Sequence, residues 1–232
     1  PFFYKKMDSW MVAAGLRYQS TGLDFSDLTL LDEDRLHSLD LAFFISKKQS
    51  ETLDWIFLFN PSLAGDFEDI DSDAMNYMTI AGAKWKASET FEWILGAVYT
   101  TGLGDDLFVP AIGFTWEPSE NSSLLFAGPI IRYKHSISDS LNLVLGGQFS
   151  GNRWNTQSTN YTGLKQERNL RIRSYRISAS LQWSIQDNHP VFATGGIDFA
   201  RKAEIELLDE TKLLDRDIKS APSFELGYMY QF

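Results

Sequence analysis

No stretch of this chain restricts its folding more than the nine residues Phe224-Glu225-Leu226-Gly227-Tyr228-Met229-Tyr230-Gln231-Phe232. Every even position is a large apolar or aromatic side chain, and the odd positions are Glu225, Gly227, Met229 and Gln231. Successive side chains of a β-strand point to opposite faces. One face of this segment is therefore apolar, and the other is largely polar or small. A soluble protein would have to cover the apolar face. A strand with lipid on one side and a polar lumen on the other leaves it uncovered, which is the pattern of a transmembrane β-barrel.

The alternation recurs along the chain. Tyr175, Ile177, Ala179, Leu181 and Trp183 oppose Arg176, Ser178, Ser180, Gln182 and Ser184. Phe91, Trp93, Leu95, Ala97 and Tyr99 oppose Glu92 and Thr100, and Leu53, Trp55, Phe57 and Phe59 oppose Asp54 and Asn60. Trp10, Val12, Ala14, Leu16 and Tyr18 oppose Arg17 and Gln19. Each apolar face covers about 8–11 residues, the length a tilted strand needs to cross a bilayer. The pattern predicts about twelve antiparallel strands, over 9–20, 35–47, 52–60, 75–87, 90–101, 108–117, 122–127, 130–137, 141–153, 168–186, 190–206 and 221–232. Short polar turns alternate with long connections over 21–35, 61–74, 153–167 and 207–220, the asymmetry of periplasmic turns and external loops. An even count puts both termini on the periplasmic side, with 1–8 as a periplasmic N-terminal segment of a single barrel domain over 1–232. Gly128-Pro129 is the difficult point, because proline breaks a ladder. A soluble antiparallel sandwich or closed barrel is the alternative, since alternation occurs there too.

Composition narrows the field. The chain has 232 residues, is 44% hydrophobic and has a mean hydropathy of −0.22, with no uninterrupted apolar run long enough for a membrane helix. Seven Trp, nine Tyr and seventeen Phe would supply aromatic belts at two membrane interfaces. The absence of Cys excludes disulfides and thiolate metal sites, and a net charge of −10 argues against a nucleic-acid partner. Pro1 is not a natural start, which reads as an export signal already removed.

Two resemblances bear on location. The terminal Tyr-x-Phe is similar to the C-terminal signal of bacterial outer-membrane proteins. This implies that Phe224, Leu226, Tyr228, Tyr230 and Phe232 face lipid and that the barrel-assembly machinery engages the strand. Pro110-Ala111-Ile112-Gly113, Trp116-Glu117-Pro118, Gly128-Pro129-Ile130-Ile131-Arg132-Tyr133, Gly151-Asn152 and Leu170-Arg171-Ile172-Arg173-Ser174-Tyr175-Arg176 resemble a bacterial family of outer-membrane β-barrels of unknown function. That resemblance implies a barrel in contact with outer-membrane lipid and lipopolysaccharide, and it carries no substrate.

Catalytic candidates are few. A Ser–His site needs the two side chains together and a third group orienting the His. His37 and His135 each precede a Ser on a predicted strand, so each pair would point to opposite faces. His189 lies in a turn. No cofactor is implied. Asp69-x-Asp71-x-Asp73 has a spacing that suits an oxygen-liganded divalent cation but lacks the Gly and terminal Glu of an EF-hand loop, so a solvated acidic loop is the alternative. Parity places Arg17, Asp40, Asp54, Lys84, Lys86, Glu92, Glu117, Arg132, Lys134, Arg176, Asp198, Lys202 and Glu225 in the lumen. Opposite charges in such a confined space are expected to pair. The resulting expectation is a non-enzymatic structural or accessory component with a possible envelope protein partner. A narrow channel is the second reading and a lipid-modifying enzyme the third.

Overall fold

The computed structural model describes residues 3–22, 30–32, 35–68, 70–102, 106–159, 162–184 and 190–228. They form fourteen β-strands and no helix: β1 (Phe3–Lys6), β2 (Trp10–Gly22), β3 (Arg35–Lys48), β4 (Leu53–Gly65), β5 (Met75–Lys86), β6 (Phe91–Thr100), β7 (Leu107–Ser119), β8 (Ser122–Ala127), β9 (Ile130–Ser138), β10 (Leu141–Thr159), β11 (Lys165–Ser184), β12 (Pro190–Leu207), β13 (Lys212–Ile218) and β14 (Ala221–Tyr228). Each of the twelve predicted positions holds a strand. The other two correct the sequence reading. β1 lies in the segment read as a plain N-terminal extension and pairs with β2 from Phe3↔Ala14 to Lys6↔Met11. Four residues are too few to show a period. β13 lies in the connection predicted over 207–220 and pairs with β12. Its adjacent Leu213 and Leu214 break the alternation that marks the other strands.

Strands that are neighbours in sequence pair antiparallel and in chain order as far as β13, several of them through tight turns. Two of these turns repeat one device. In Ser50-Glu51-Thr52 and Ser88-Glu89-Thr90 the serine hydroxyl accepts the threonine N–H, at 3.2 and 3.3 Å, and so sets the reversal without glycine. β13 and β14 both pair with β12, and the same residue-for-residue register runs from Ile218↔Arg201 to Ala221↔Asp198.

Seven strands, β4 to β10, close into a barrel, and the remaining strands extend the sheet on either side. Among the described residues the closed part of the sheet is this ring of seven, and the other strands continue the sheet beyond it. The cause is a difference in strand length. β8 has six residues, and β9 pairs with β10 only as far as Ile130↔Gln148. Beyond that point β10 runs to Thr159 with no neighbour on this edge. The free edge meets the end of β4 in a parallel bridge, Asn155↔Gly65. Asp66 N–H donates to the Asn155 carbonyl (3.3 Å), Asn76 Nδ2 to the Arg153 carbonyl (3.1 Å), and Gln157 N–H to Asp66 Oδ2 (2.6 Å). Only glycine fits at the crossing, because a Cβ on Gly65 would sit 2.4 Å from the Asn155 carbonyl oxygen.

The buried core lies at this crossing rather than along the barrel axis. Leu36, Ala64, Trp154, Leu170 and Ile205 are buried together, and Leu30, Leu31, Ile172 and Leu214 pack around them. Leu170→Ala should lower stability by about 2–5 kcal/mol in denaturant titration, the range for a fully buried leucine. Gly65→Ala should force β4 and β10 apart. Amide exchange across residues 153–159 should then accelerate while β6 and β7 keep their protection.

Candidate functional site

The tip of the β10–β11 hairpin is held between two connections. On one side, Asp32 Oδ2 accepts both the Thr159 N–H and its hydroxyl, each at 2.6 Å, and Ser158 Oγ accepts the Asp32 N–H. Arg168 donates to the Leu30 carbonyl. On the other side, Asp66 holds Gln157, and Glu68 pairs with Lys165. Asp32, Asp66 and Glu68 of the long connections therefore serve as acceptors that fasten this tip.

One acidic group bears on metal binding. Asp71, Asp73 and Glu167 bring carboxylate oxygens within 4.8 Å of one another. Glu167 comes from β11, which the sequence spacing could not place, and its Oε2 is buried without a hydrogen-bond partner. Asp69 lies outside the described residues. Asp71 Oδ1 accepts the Asp73 N–H at 2.8 Å, the local bond of an Asx turn. Three carboxylates suit a hard cation such as calcium by chemistry.

Three pairs of opposite charge form among the residues that parity put on the inward face, and Lys84–Glu92 is the one on the closed ring. Arg17 meets Asp40 at 3.1 Å and Lys84 meets Glu92 at 3.2 Å. Arg176 binds Asp198 through Nε and Nη2, both at 2.9 Å, a bidentate geometry that fixes both side chains. Among the described residues Asp54, Arg132 and Glu225 make no ion pair. Asp54 faces Lys84 in the register, Arg132 faces Gly146, and Glu225 faces Thr194.

Lys202 is a correction. Parity put it inward, but β12 carries one extra residue at Ala200, which adopts φ 47°. Arg173↔Lys202 and Tyr175↔Phe199 therefore enclose one residue on β11 and two on β12. This β-bulge inverts the facing of everything beyond it. Lys202, Glu204 and Glu206 join Arg171 and Arg173 on the face that carries Tyr175. Glu204 is 1% exposed and meets four cations there: Arg171 (3.1 Å), Arg173 (2.7 Å), Lys202 (3.0 Å) and Lys212 (3.5 Å). Sequence reasoning missed this cluster because a bulge at a non-glycine residue leaves no compositional mark.

The histidines do not join their adjacent serines. His37 Nδ1 bonds the Tyr18 hydroxyl at 2.6 Å, while Ser38 is buried on the opposite face. His135 Nδ1 does reach a serine, Ser122 Oγ on β8 at 2.9 Å, through cross-strand register. Among the described residues no carboxylate orients the other ring nitrogen, so the pair lacks the third member of a triad. His189 lies outside the described residues.

The outward face is apolar and ordered in layers. Phe224 and Leu226 of β14 are 73% and 69% exposed, as the terminal alternation requires. Tyr230, Phe232 and the side chain of Tyr228 lie outside the described residues. Six tryptophans, Trp10, Trp55, Trp85, Trp93, Trp116 and Trp183, are exposed at the short-turn ends of their strands, and the seventh, Trp154, is in the core. At the opposite level stand Tyr18, Tyr99, Phe108 and Tyr175. Leu16, Leu95, Ile112, Ile177 and Leu181 fill the space between, all exposed.

The profile of one protein family, described as Domain of unknown function (DUF6268), matches residues 4–224, and the chain belongs to that family. No curated protein and no solved structure matches it.

The hairpin fastening should depend on pH through Asp32. Its two bonds from Thr159 hold the carboxyl below the usual carboxylate range. A lowered folded pKa contributes stability that is present above the unfolded pKa and is lost as pH falls through the folded value. Proteolytic nicking near residues 159–165 should therefore rise below about pH 4. Asp32→Asn should show the same rise at neutral pH and lose its acid dependence.

Proposed function

We propose that this protein is a bacterial outer-membrane β-barrel with a stoppered mouth, serving the cell envelope as a structural or accessory component bound to another envelope protein. One observation carries the membrane reading: two aromatic belts bracket an exposed aliphatic band. Trp93 and Tyr99, or Trp183 and Tyr175, are six to eight residues apart on one strand, roughly 20–27 Å. That matches the lipid-facing band of outer-membrane barrels, flanked by aromatic girdles. In water, apolar patches of this extent are rare on a lone domain.

Because β13 and β14 share one register on β12, they count as a single wall strand interrupted opposite the Ala200 bulge. With β2 to β12 the wall then has twelve strands, an even number, as outer-membrane barrels have, and the four-residue β1 is an addition along the start of β2. The start of β2 and the end of β14 lie at the short-turn end, which this reading places in the periplasm, with the long connections outside.

The filled mouth favours an accessory role over conduction. The β10–β11 tip, its core and its fastenings occupy the place where a pore would open, and the paired lumen charges below are already neutralised by one another. Such a barrel acts through its surfaces. Mild detergent extraction from the native membrane should yield a stoichiometric complex with another envelope protein, and isolation only as a lone monomer would oppose this reading.

Leu181→Arg should cost about 2–4 kcal/mol in a bilayer, whereas Gln182→Arg, on the inward face, should change stability by about 0.5 kcal/mol. Equal tolerance at the two positions would remove the lipid-facing assignment. In planar bilayers the wild-type protein should give no conductance steps, and Asp32→Asn with Asp66→Asn should give intermittent ones. Steady wild-type conductance would favour a narrow channel instead.

A further inference from the structure

We infer that the outward face of β9 to β12 carries a binding site for the lipid A portion of lipopolysaccharide, with one acyl chain in a furrow and a phosphate on Arg173 and Lys202. The inference rests on the membrane reading proposed above. The furrow has a volume of about 830 Å³, within the range of small-molecule sites. Its floor is nearly bare backbone at Gly147 and Gly195, and its walls are Ile131, Leu145, Ile177 and Ile197. A second apolar hollow of about 510 Å³ continues the same face past Leu181 toward Trp183. In the proposed orientation the second hollow reaches the periplasmic belt, so the furrow at Ile177 and Ile197, next to the external aromatic row, is the part that lies in the external leaflet.

The polar end of the site follows from the register. One layer above the furrow stands the row Phe149–Tyr175–Phe199, with ring centroids 5.5 and 6.0 Å apart. One layer further, Gly151, Arg173 and Lys202 share the same face. Four residues separate Ile177 from Arg173, about 13 Å, so the two cations sit at headgroup depth above a chain lying in the furrow. Their side chains are 34% and 36% exposed. Buried Glu204 holds Arg173 through Nη2 alone, so the remaining guanidinium N–H groups have no protein partner among the described residues. Arg171, Arg173, Lys202 and Lys212 meet three carboxylates here, Glu204, Glu206 and Asp215, in a chain whose net charge is −10. Arg173, oriented by a buried carboxylate and left with open donors, suits a phosphate oxygen, and Lys202, already bound to Glu204 and Asp215, adds its charge beside it. The occupant follows from depth and side: in the proposed orientation this layer meets the external leaflet, which is built of phosphorylated, multiply acylated glycolipid.

The test is native mass spectrometry of the full chain in dodecylmaltoside, with purified lipid A, its dephosphorylated form and phosphatidylglycerol as probes. Insertion into liposomes is measured in parallel for every variant. Wild type should retain one lipid A and prefer it about tenfold over the dephosphorylated form, the worth of one or two charge-assisted bonds. Arg173→Gln with Lys202→Gln should abolish that preference. Gly195→Phe should reduce retention of both forms about tenfold by filling the furrow. That glycine has open space where a Cβ would stand, so the variant folds and inserts normally. Equal retention of the dephosphorylated form, or indifference to Gly195→Phe, would overturn the site. Equal or better retention of phosphatidylglycerol would overturn lipid A as the occupant. If wild type fails to insert into liposomes, the membrane reading falls and the site with it; if it inserts but shows no preference, only the site falls.

Discussion

The free edge of β10 is the constraint from which the upper half of the molecule follows. A strand that outruns its neighbour leaves a row of carbonyls and N–H groups without a ladder, and buried backbone groups without partners are costly. β10 outruns β9 because β8 and β9 meet at Gly128-Pro129 after only six residues of β8. The missing partners come from across the ring, from β4, Asp66 and Asn76. Once β10 leans over to reach them it brings Trp154 and Leu170 onto Leu36 and Ala64, and a core forms where a lumen would have opened. The acidic connections then have a hairpin tip to grip.

Charge is distributed to match. Below the crossing, inward charges meet their opposites on neighbouring strands, and Arg176–Asp198 is the tightest of these pairs. Above it, the Ala200 bulge turns β12 over, so that the charges it carries beyond that point lie on the face of the aromatic row. A single residue in a left-handed conformation thereby converts what would have been further lumen lining into a cationic cluster around Glu204. The same bulge interrupts the neighbouring strand and divides it into β13 and β14. Family membership fits this account, since the profile match over residues 4–224 spans the closed ring, the crossing and the bulge together.

Alternation made the strands legible. All twelve predicted positions hold strands, because a period of two survives in each apolar face whatever that face contacts. The shared facing of Arg17, Asp40, Lys84, Glu92, Arg176 and Asp198 was legible for the same reason, while their pairing came from cross-strand register. β1 was illegible because four residues show no period, and β13 because Leu213 and Leu214 break it. The union of Asp71 and Asp73 with Glu167, and of Ser122 with His135, depended on cross-strand register, which parity along one strand does not contain.

By itself, then, the sequence determined that this protein is all-β, that its strands carry one apolar and one polar face, and where tight turns such as Ser50-Glu51-Thr52 fall. These are local properties, set by side-chain order and turn chemistry within a few residues. Tertiary structure alone decided that seven strands close the ring, that β10 crosses to Gly65, and that Lys202 stands beside Arg173 on the outward face. Ring closure and crossing follow from relative strand lengths, and the position of Lys202 from one bulge. Each depends on how distant segments align, which no local pattern specifies.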